Sequence, residues 1–256
     1  MQQISEANVE MKSAHESLQL RAIILGKSWI GFDLDDTLHE FRRASATATN
    51  AVLSEIATQY DTSQSVLGDA YHRILKLGTA NAFSEGKTSF EYRRERFGRL
   101  LSDFSLAYSE PFMCELLDMY ETTLLAQLEL KDGAEELLST LKKLGKKIVV
   151  ITEGPQDAQQ RTVEALGISS YIDYLATTNH FKVPKTNGLF PQVLSYMGVS
   201  PPDIAYIGDS SERDMEPAMA EGIFAIHLAE GCQMEFGEVP VRMNSLRTLH
   251  EILSES

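Results

Sequence analysis

Five short apolar runs constrain this chain more than any other feature. Trp29-Ile30-Gly31-Phe32, Lys147-Ile148-Val149-Val150-Ile151, Tyr174-Leu175-Ala176, Ile204-Ala205-Tyr206-Ile207 and Ile223-Phe224-Ala225-Ile226 are each bounded by polar or small residues. Runs this short and this uniformly apolar read as strands buried on both faces. A helical stretch precedes each of the last four, and these stretches stop at Leu144-Gly145, Leu166-Gly167, Met197-Gly198 and Glu221-Gly222. Glycine just past a helix end takes the left-handed conformation without a Cβ penalty. Strands alternating with helices in this way call for right-handed crossovers and a parallel sheet covered on both faces. The expected fold class is therefore α/β, a doubly wound parallel sheet.

About 100 residues separate the first run from the second, too many for one crossover. Apolar positions within them recur at helical spacing, among them Ala51, Ile56, Leu116, Leu117, Tyr120 and Leu124. The expectation is a helical insertion over 42–128, with an α/β core built from 28–41 and 129–256. Asp132 is expected to cap the core helix that begins at Ala134 and carries Leu137, Leu138 and Leu141. Residues 1–27 form an N-terminal extension whose apolar spacing (Val9, Leu18, Leu20, Ile23, Ile24) suits an added helix.

Charge and cysteine content exclude several classes of function. There are 23 Lys and Arg against 37 Asp and Glu, a net charge of −14, which opposes a broad basic face for nucleic acid or an acidic membrane. Cys114 and Cys232 stand far apart in no metal-ligand spacing, so neither a disulfide framework nor a structural zinc site is expected. No basic start leads into an apolar stretch and no run of about 18 apolar residues occurs, so the expectation is a cytoplasmic chain without a signal peptide or membrane span. Gly-x-Gly-x-x-Gly, Gly-x-x-x-x-Gly-Lys-Ser/Thr and Gly-x-Ser-x-Gly are all absent, and no nucleotide cofactor or serine nucleophile elbow is implied.

The chemistry gathers at the strand ends. Asp33-Leu34-Asp35-Asp36-Thr37 follows the first run, Thr152 closes the second, and Gly208-Asp209-Ser210 closes the fourth with Asp214 beyond it. Lys185 lies between the third and fourth. In an open parallel sheet these carboxyl ends share one edge, where ligands bind. Two carboxylates about 4 Å apart repel by roughly 4 kcal/mol at an effective dielectric of 20, so the cluster needs a cation. A hard divalent ion such as Mg²⁺, which binds carboxylates together with water and phosphate oxygens, answers that need.

Phe32-Asp33-Leu34-Asp35-Asp36-Thr37-Leu38, Val150-Ile151-Thr152, Lys185 and Gly208-Asp209-Ser210-Ser211-Glu212-Arg213-Asp214 together resemble the four ordered motifs of the haloacid dehalogenase (HAD) superfamily, over about residues 28–230. The resemblance implies a Rossmann-like core, and the insertion is similar to the family's C1-type helical cap. It implies Mg²⁺ as cofactor and a small phosphorylated metabolite as substrate, hydrolysed through an aspartyl-phosphate. By position, Asp33 is the expected nucleophile and Asp35 the general acid, then base. Thr152, Glu153, Gly154 and Lys185 are the expected substrate contacts, with Thr152 and Lys185 also serving catalysis. Asp33, the main-chain carbonyl of Asp35, and Asp209 would hold the metal, with Asp214 in or beside that set. An acid at Asp35 disfavours carbon–halogen displacement, because a halide leaves without a proton. A phosphomutase or lyase outcome, or a non-catalytic binding protein, stays open as an alternative.

Two departures from the family pattern stand out. Glu153 occupies the place where many relatives have asparagine, and Phe181-Lys182-Val183-Pro184-Lys185 lacks the common Lys-Pro pair, so Lys182 competes with Lys185. Arg93, Arg94, Arg96 and Arg99 in the insertion, Arg42 and Arg43 at its start, and His39 near the entrance are further candidates for substrate contact, each with a solvated or structural role as the plainer reading.

Overall fold

The computed structural model describes residues 15–78, 83–232 and 240–255. In chain order the elements are helix α1 over 15–26, β1 Trp29–Phe32, α2 Phe41–Tyr60, α3 Gln64–Gly78, α4 Ser89–Asp103, α5 Glu110–Ala126, α6 Ala134–Lys143, β2 Lys147–Thr152 and α7 Gln156–Ala165. They continue with β3 Tyr174–Thr177, α8 Thr178–Phe181, α9 Leu189–Met197, β4 Ile204–Gly208, α10 Glu216–Ala220, β5 Phe224–Leu228, β6 Val241–Met243 and α11 Leu246–Ser254. The strands form one sheet in the order β3-β2-β1-β4-β5-β6, every neighbouring pair parallel. The chain thus has the doubly wound α/β architecture that its apolar runs predict.

Register sets what happens at the sheet edge. Phe32 pairs with Val150 on one side and Ile207 on the other, so β1, β2 and β4 end side by side. Period-two alternation splits each strand between two cores. Ile148 and Val150 join Ile30, Phe32 and Ala205 under α1, α6 and α11, whereas Val149 and Ile151 join Ile204 and Tyr206 under α9. A third apolar cluster, including Val52, Ile56, Leu67, Phe97, Leu116 and Tyr120, lies within the four helices α2 to α5. The four glycines expected to end helices all have positive φ.

The structure departs from expectation in three places. β6 has only three residues and an alternating in-out-in burial pattern, too short to register as an apolar run. The fifth strand runs Phe224–Leu228 rather than Ile223–Ile226. Asp132 does not cap α6. The N-cap position is Gly133 at φ +79°, without a side-chain cap, and Asp132 instead pairs with Arg247 of α11. A Cβ at 133 would sit 2.4 Å from Arg247 Cα, so α11 can approach only because this residue is glycine.

α1 buries Leu20 and Ile24 beneath the sheet and leaves Leu18 exposed; Val9 lies outside the described residues. Among the described residues, no helix is long and apolar enough to cross a membrane.

Candidate active site

β1 delivers Asp33 to the sheet edge, and a tight turn then folds the chain back. Asp36 takes a left-handed φ of +62° and its N–H donates to His39 O at 2.9 Å. Asp tolerates this conformation better than most residues. The turn points Asp33 and Asp35 at different partners. Asp33 Oδ1 accepts from Lys185 Nζ at 2.5 Å and its Oδ2 from Thr37 Oγ1 at 3.2 Å. Asp35 Oδ1 lies 3.0 Å from His39 Nε2, and its Oδ2 accepts from Gln159 Nε2 at 3.3 Å.

Behind Asp33 lies a buried charge cluster. Lys185, 2% exposed, places Nζ between Asp33 Oδ1 and Asp214 Oδ1, the latter at 2.6 Å. Asp214 Oδ1 also accepts from Tyr206 OH at 3.0 Å, and its Oδ2 from Ser210 N at 3.0 Å. The π-helical turn Ser211–Met215, capped by Ser210 Oγ accepting from Arg213 N, turns Asp214 inward. It can do so because residue 208 is glycine: a Cβ there would lie 2.5 Å from Asp214 Cγ.

Burial pushes the Asp33 carboxyl up to about 8, with Asp214 and Asp35 pushing the same way and Lys185 opposing. Burial alone would lower Lys185, but the two carboxylates beside it outweigh that and hold it above the usual lysine range. The ammonium is therefore a fixed charge.

Carboxylate oxygens of Asp33, Asp209 and Asp214 lie within 4.8 Å of one another. Asp209 Oδ2 also accepts from Arg42 Nη2 at 3.0 Å. This all-oxygen donor set, short of positive charge at Asp33, fits a hard divalent cation such as Mg²⁺. Thr152 Oγ1 is buried, has no hydrogen-bond partner among the described residues, and belongs to a residue lining the same cavity as Asp33, Asp35 and Lys185. An unpaired buried hydroxyl costs about 1–3 kcal/mol, which an oxyanion accepting its proton would recover.

The remaining candidates divide. Glu153 lines the cavity, its Oε1 accepting from Lys185 N at 3.1 Å and its Oε2 lying 3.6 Å from Arg213 Nη1. The Gly154 N–H donates to Thr178 Oγ1 at 3.2 Å. Lys182 is exposed and ends α8 in a left-handed conformation. His39 is fully buried beside Asp35 rather than at the entrance, because isolated bridges to Asp35 and Leu130 hold it under the turn. Arg43 pairs with Glu129 and Arg94 with Glu110 near solvent, Arg93 pairs with Glu121, Arg99 is exposed, and Arg42 and Arg96 line the cavity. Sequence reasoning missed Tyr206, Gln159 and Arg213. Tyr206 is the one polar-tipped residue of its run, a signal that was available; Gln159 faces Asp35 only through the packing of α7.

The fold is that of an α/β protein whose parallel sheet gathers Asp33, Asp209 and Asp214 at its carboxyl edge beside a cavity, with helices α2 to α5 lying between β1 and β2 in the chain. The sequence profile described as haloacid dehalogenase-like hydrolase matches residues 30–228, and the chain belongs to that family. It is 23% identical over 224 residues to a glyceraldehyde 3-phosphate phosphatase of Methanocaldococcus jannaschii, spanning 87% of this chain and 93% of the relative. It is likewise 23% identical over 198 residues to an N-acylneuraminate-9-phosphatase of Rattus norvegicus, spanning 76% and 79%. Among solved structures, the magnesium-bound HAD hydrolase YfnB of Bacillus subtilis superimposes with a TM-score of 0.66 at 22% identity, covering 90% of this chain and all of that one. That likeness is one of fold.

Proposed function

We propose that this enzyme is a Mg²⁺-dependent phosphatase that hydrolyses the monoester of a small phosphorylated metabolite through a phosphorylated Asp33. The observation that carries the reading is the meeting of Asp33, Lys185 and the unpartnered Thr152 hydroxyl in one cavity. Its family membership and its relatives, which are phosphatases, support it.

Asp33 Oδ2, held by Thr37, is the oxygen placed to attack phosphorus while Oδ1 stays on Lys185. As charge builds on the equatorial phosphoryl oxygens, Thr152 donates to one of them and the Lys185 ammonium offsets the rest. Asp35, on separate partners His39 and Gln159, gives its proton to the leaving oxygen and later takes one from the attacking water. Mg²⁺ held by Asp33 and Asp209, with Asp214 beside them, would supply charge neutralisation on the phosphoryl group and favour ionised Asp33. Helices α2 to α5 act as a cap that keeps bulk water from the cavity.

Hydrolysis of an aryl phosphate with Mg²⁺ tests this directly. Asp33→Asn should abolish phosphate release, and activity surviving that change would refute the covalent route. Asp35→Asn should slow alkyl phosphates at least about 100-fold, within the range of general acid catalysis, and aryl phosphates much less, since their leaving group barely needs a proton. Equal losses on both would remove Asp35 from that role.

A further inference from the structure

The cavity over Asp33 encloses about 570 Å³, within the range of small-molecule sites, and four cationic side chains line it. Three of them are committed to carboxylates. Lys185 is shared by Asp33 and Asp214, Arg42 by Asp36 and Asp209, and Arg213 lies against Glu153. Arg96, on α4 in the cap, is the one without an ion-pair partner among the described residues. The acidic residues that line a neighbouring pocket with it, Glu85 and Glu95, are both bound to Lys87.

Local structure holds this guanidinium in the wall. Its carbon lies 5.3 Å from the centroid of the Phe83 ring, and the Tyr71 hydroxyl is beside it. Phe83 has φ +64°, which a bulky side chain rarely adopts, and Asn179 Nδ2 holds it there by donating to Phe83 O at 3.2 Å. The Phe83 ring also meets Tyr92 edge-on at 5.1 Å. A strained backbone that presents an aromatic ring to a cation at a cavity wall marks a position under functional constraint. A half-buried guanidinium without a carboxylate is a ready bidentate acceptor site for an oxyanion.

Building on the phosphatase reading, we propose that the substrate carries a second anionic group, a carboxylate or another phosphate, and that Arg96 receives it in the cap while Thr152 and Lys185 receive the scissile phosphate. The two anions bind at opposite walls of one cavity. Arg96 is thus a specificity-determining residue, and neutral phosphate esters of the same length are poor substrates.

The test compares a phosphorylated hydroxy acid with its own primary amide, and a bisphosphate with its matched monophosphate. Wild-type kcat/KM should favour the charged member of at least one pair about tenfold or more, the size expected of one charge-assisted contact; which pair shows it identifies the second anion. Arg96→Gln should bring that ratio to within about twofold of one, Arg96→Lys should keep part of it, and Arg99→Gln, altered at an exposed arginine of the same helix, should keep all of it. Ratios near one for both pairs in the wild type, or a preference that survives Arg96→Gln, would overturn the proposal. Calorimetric binding of the same pairs to Asp33→Asn protein reads the ratio without turnover. An inert enzyme that still prefers the charged ligand through Arg96 would therefore refute the catalytic reading and uphold the subsite.

Discussion

Asp33 and Lys185 are both nearly inaccessible, yet only one of them is expected to carry full charge when no divalent ion is bound. The lysine keeps its proton because two carboxylates face it, and Asp33 keeps one because burial and its acidic neighbours push its carboxyl to about 8. Between about pH 4, where an unfolded aspartate ionises, and pH 8, the folded chain holds a proton that the unfolded chain has released. The share of stability due to Asp33 is therefore complete below about pH 4 and is lost as pH rises through 8. In chelator, the thermal midpoint should fall as pH is raised from 5 to 8, and Asp33→Asn should flatten that fall by removing the titrating group. A slope unchanged in the variant would place the proton elsewhere. Added Mg²⁺ should raise the midpoint most near the upper end of this range, where less proton release opposes binding.

At the scale of helices, a chain of ion pairs joins α4, α5 and α7. Glu121 of α5 accepts from Arg93 of α4 and from Arg161 Nε of α7 at 2.5 Å. Arg161 Nη2 in turn donates to Asp157 Oδ2 at 3.0 Å and to Ser89 Oγ at 2.8 Å. Asp157 takes both the N–H and the hydroxyl of Ser89, the first residue of α4. The carboxylate of Glu121 is mostly shielded from solvent, so this network escapes the screening that makes surface pairs nearly worthless. Glu121→Ala leaves two arginines facing each other and should cost about 2 kcal/mol, the scale of hydrogen bonds to a charged group. Denaturant titration reads the cost, and hydrogen exchange should rise in α4 and α5 more than in β1 and β2. Uniform protection would mean that this network does not restrain the cap.

On the scale of the whole molecule, the final helix closes the core that the first helix opens. α11 buries Leu246, Leu249, Ile252 and Leu253 against α6, and β6 covers the edge of β5. Four such side chains contribute roughly 6–12 kcal/mol of burial, comparable to the entire stability of a typical domain at about 5–15 kcal/mol. Removing residues 241–256 should therefore yield a chain without a cooperative thermal transition, measured by circular dichroism. A truncated protein that still melts sharply would show α11 to be an accessory.

What the sequence determined by itself was whatever rests on local pattern: uniformly apolar runs make buried strands, glycines end helices, and acids after a strand end lie at its carboxyl edge. The doubly wound sheet and the gathering of Asp33, Thr152 and Asp209 at one sheet edge were legible for that reason. β6 was not, because three residues carry too little periodicity, and neither was the role of Asp132, which a neighbouring helix redirected. Only tertiary structure decided that Lys185 rather than Lys182 reaches the carboxylates, that His39 and Gln159 hold Asp35, and that Arg96 has no ion-pair partner among the described residues. Lys185 reaches Asp33 and Gln159 reaches Asp35 across more than 100 residues of chain, and the state of Arg96 depends on which carboxylates are already taken. That is settled by packing, which sequence spacing does not encode.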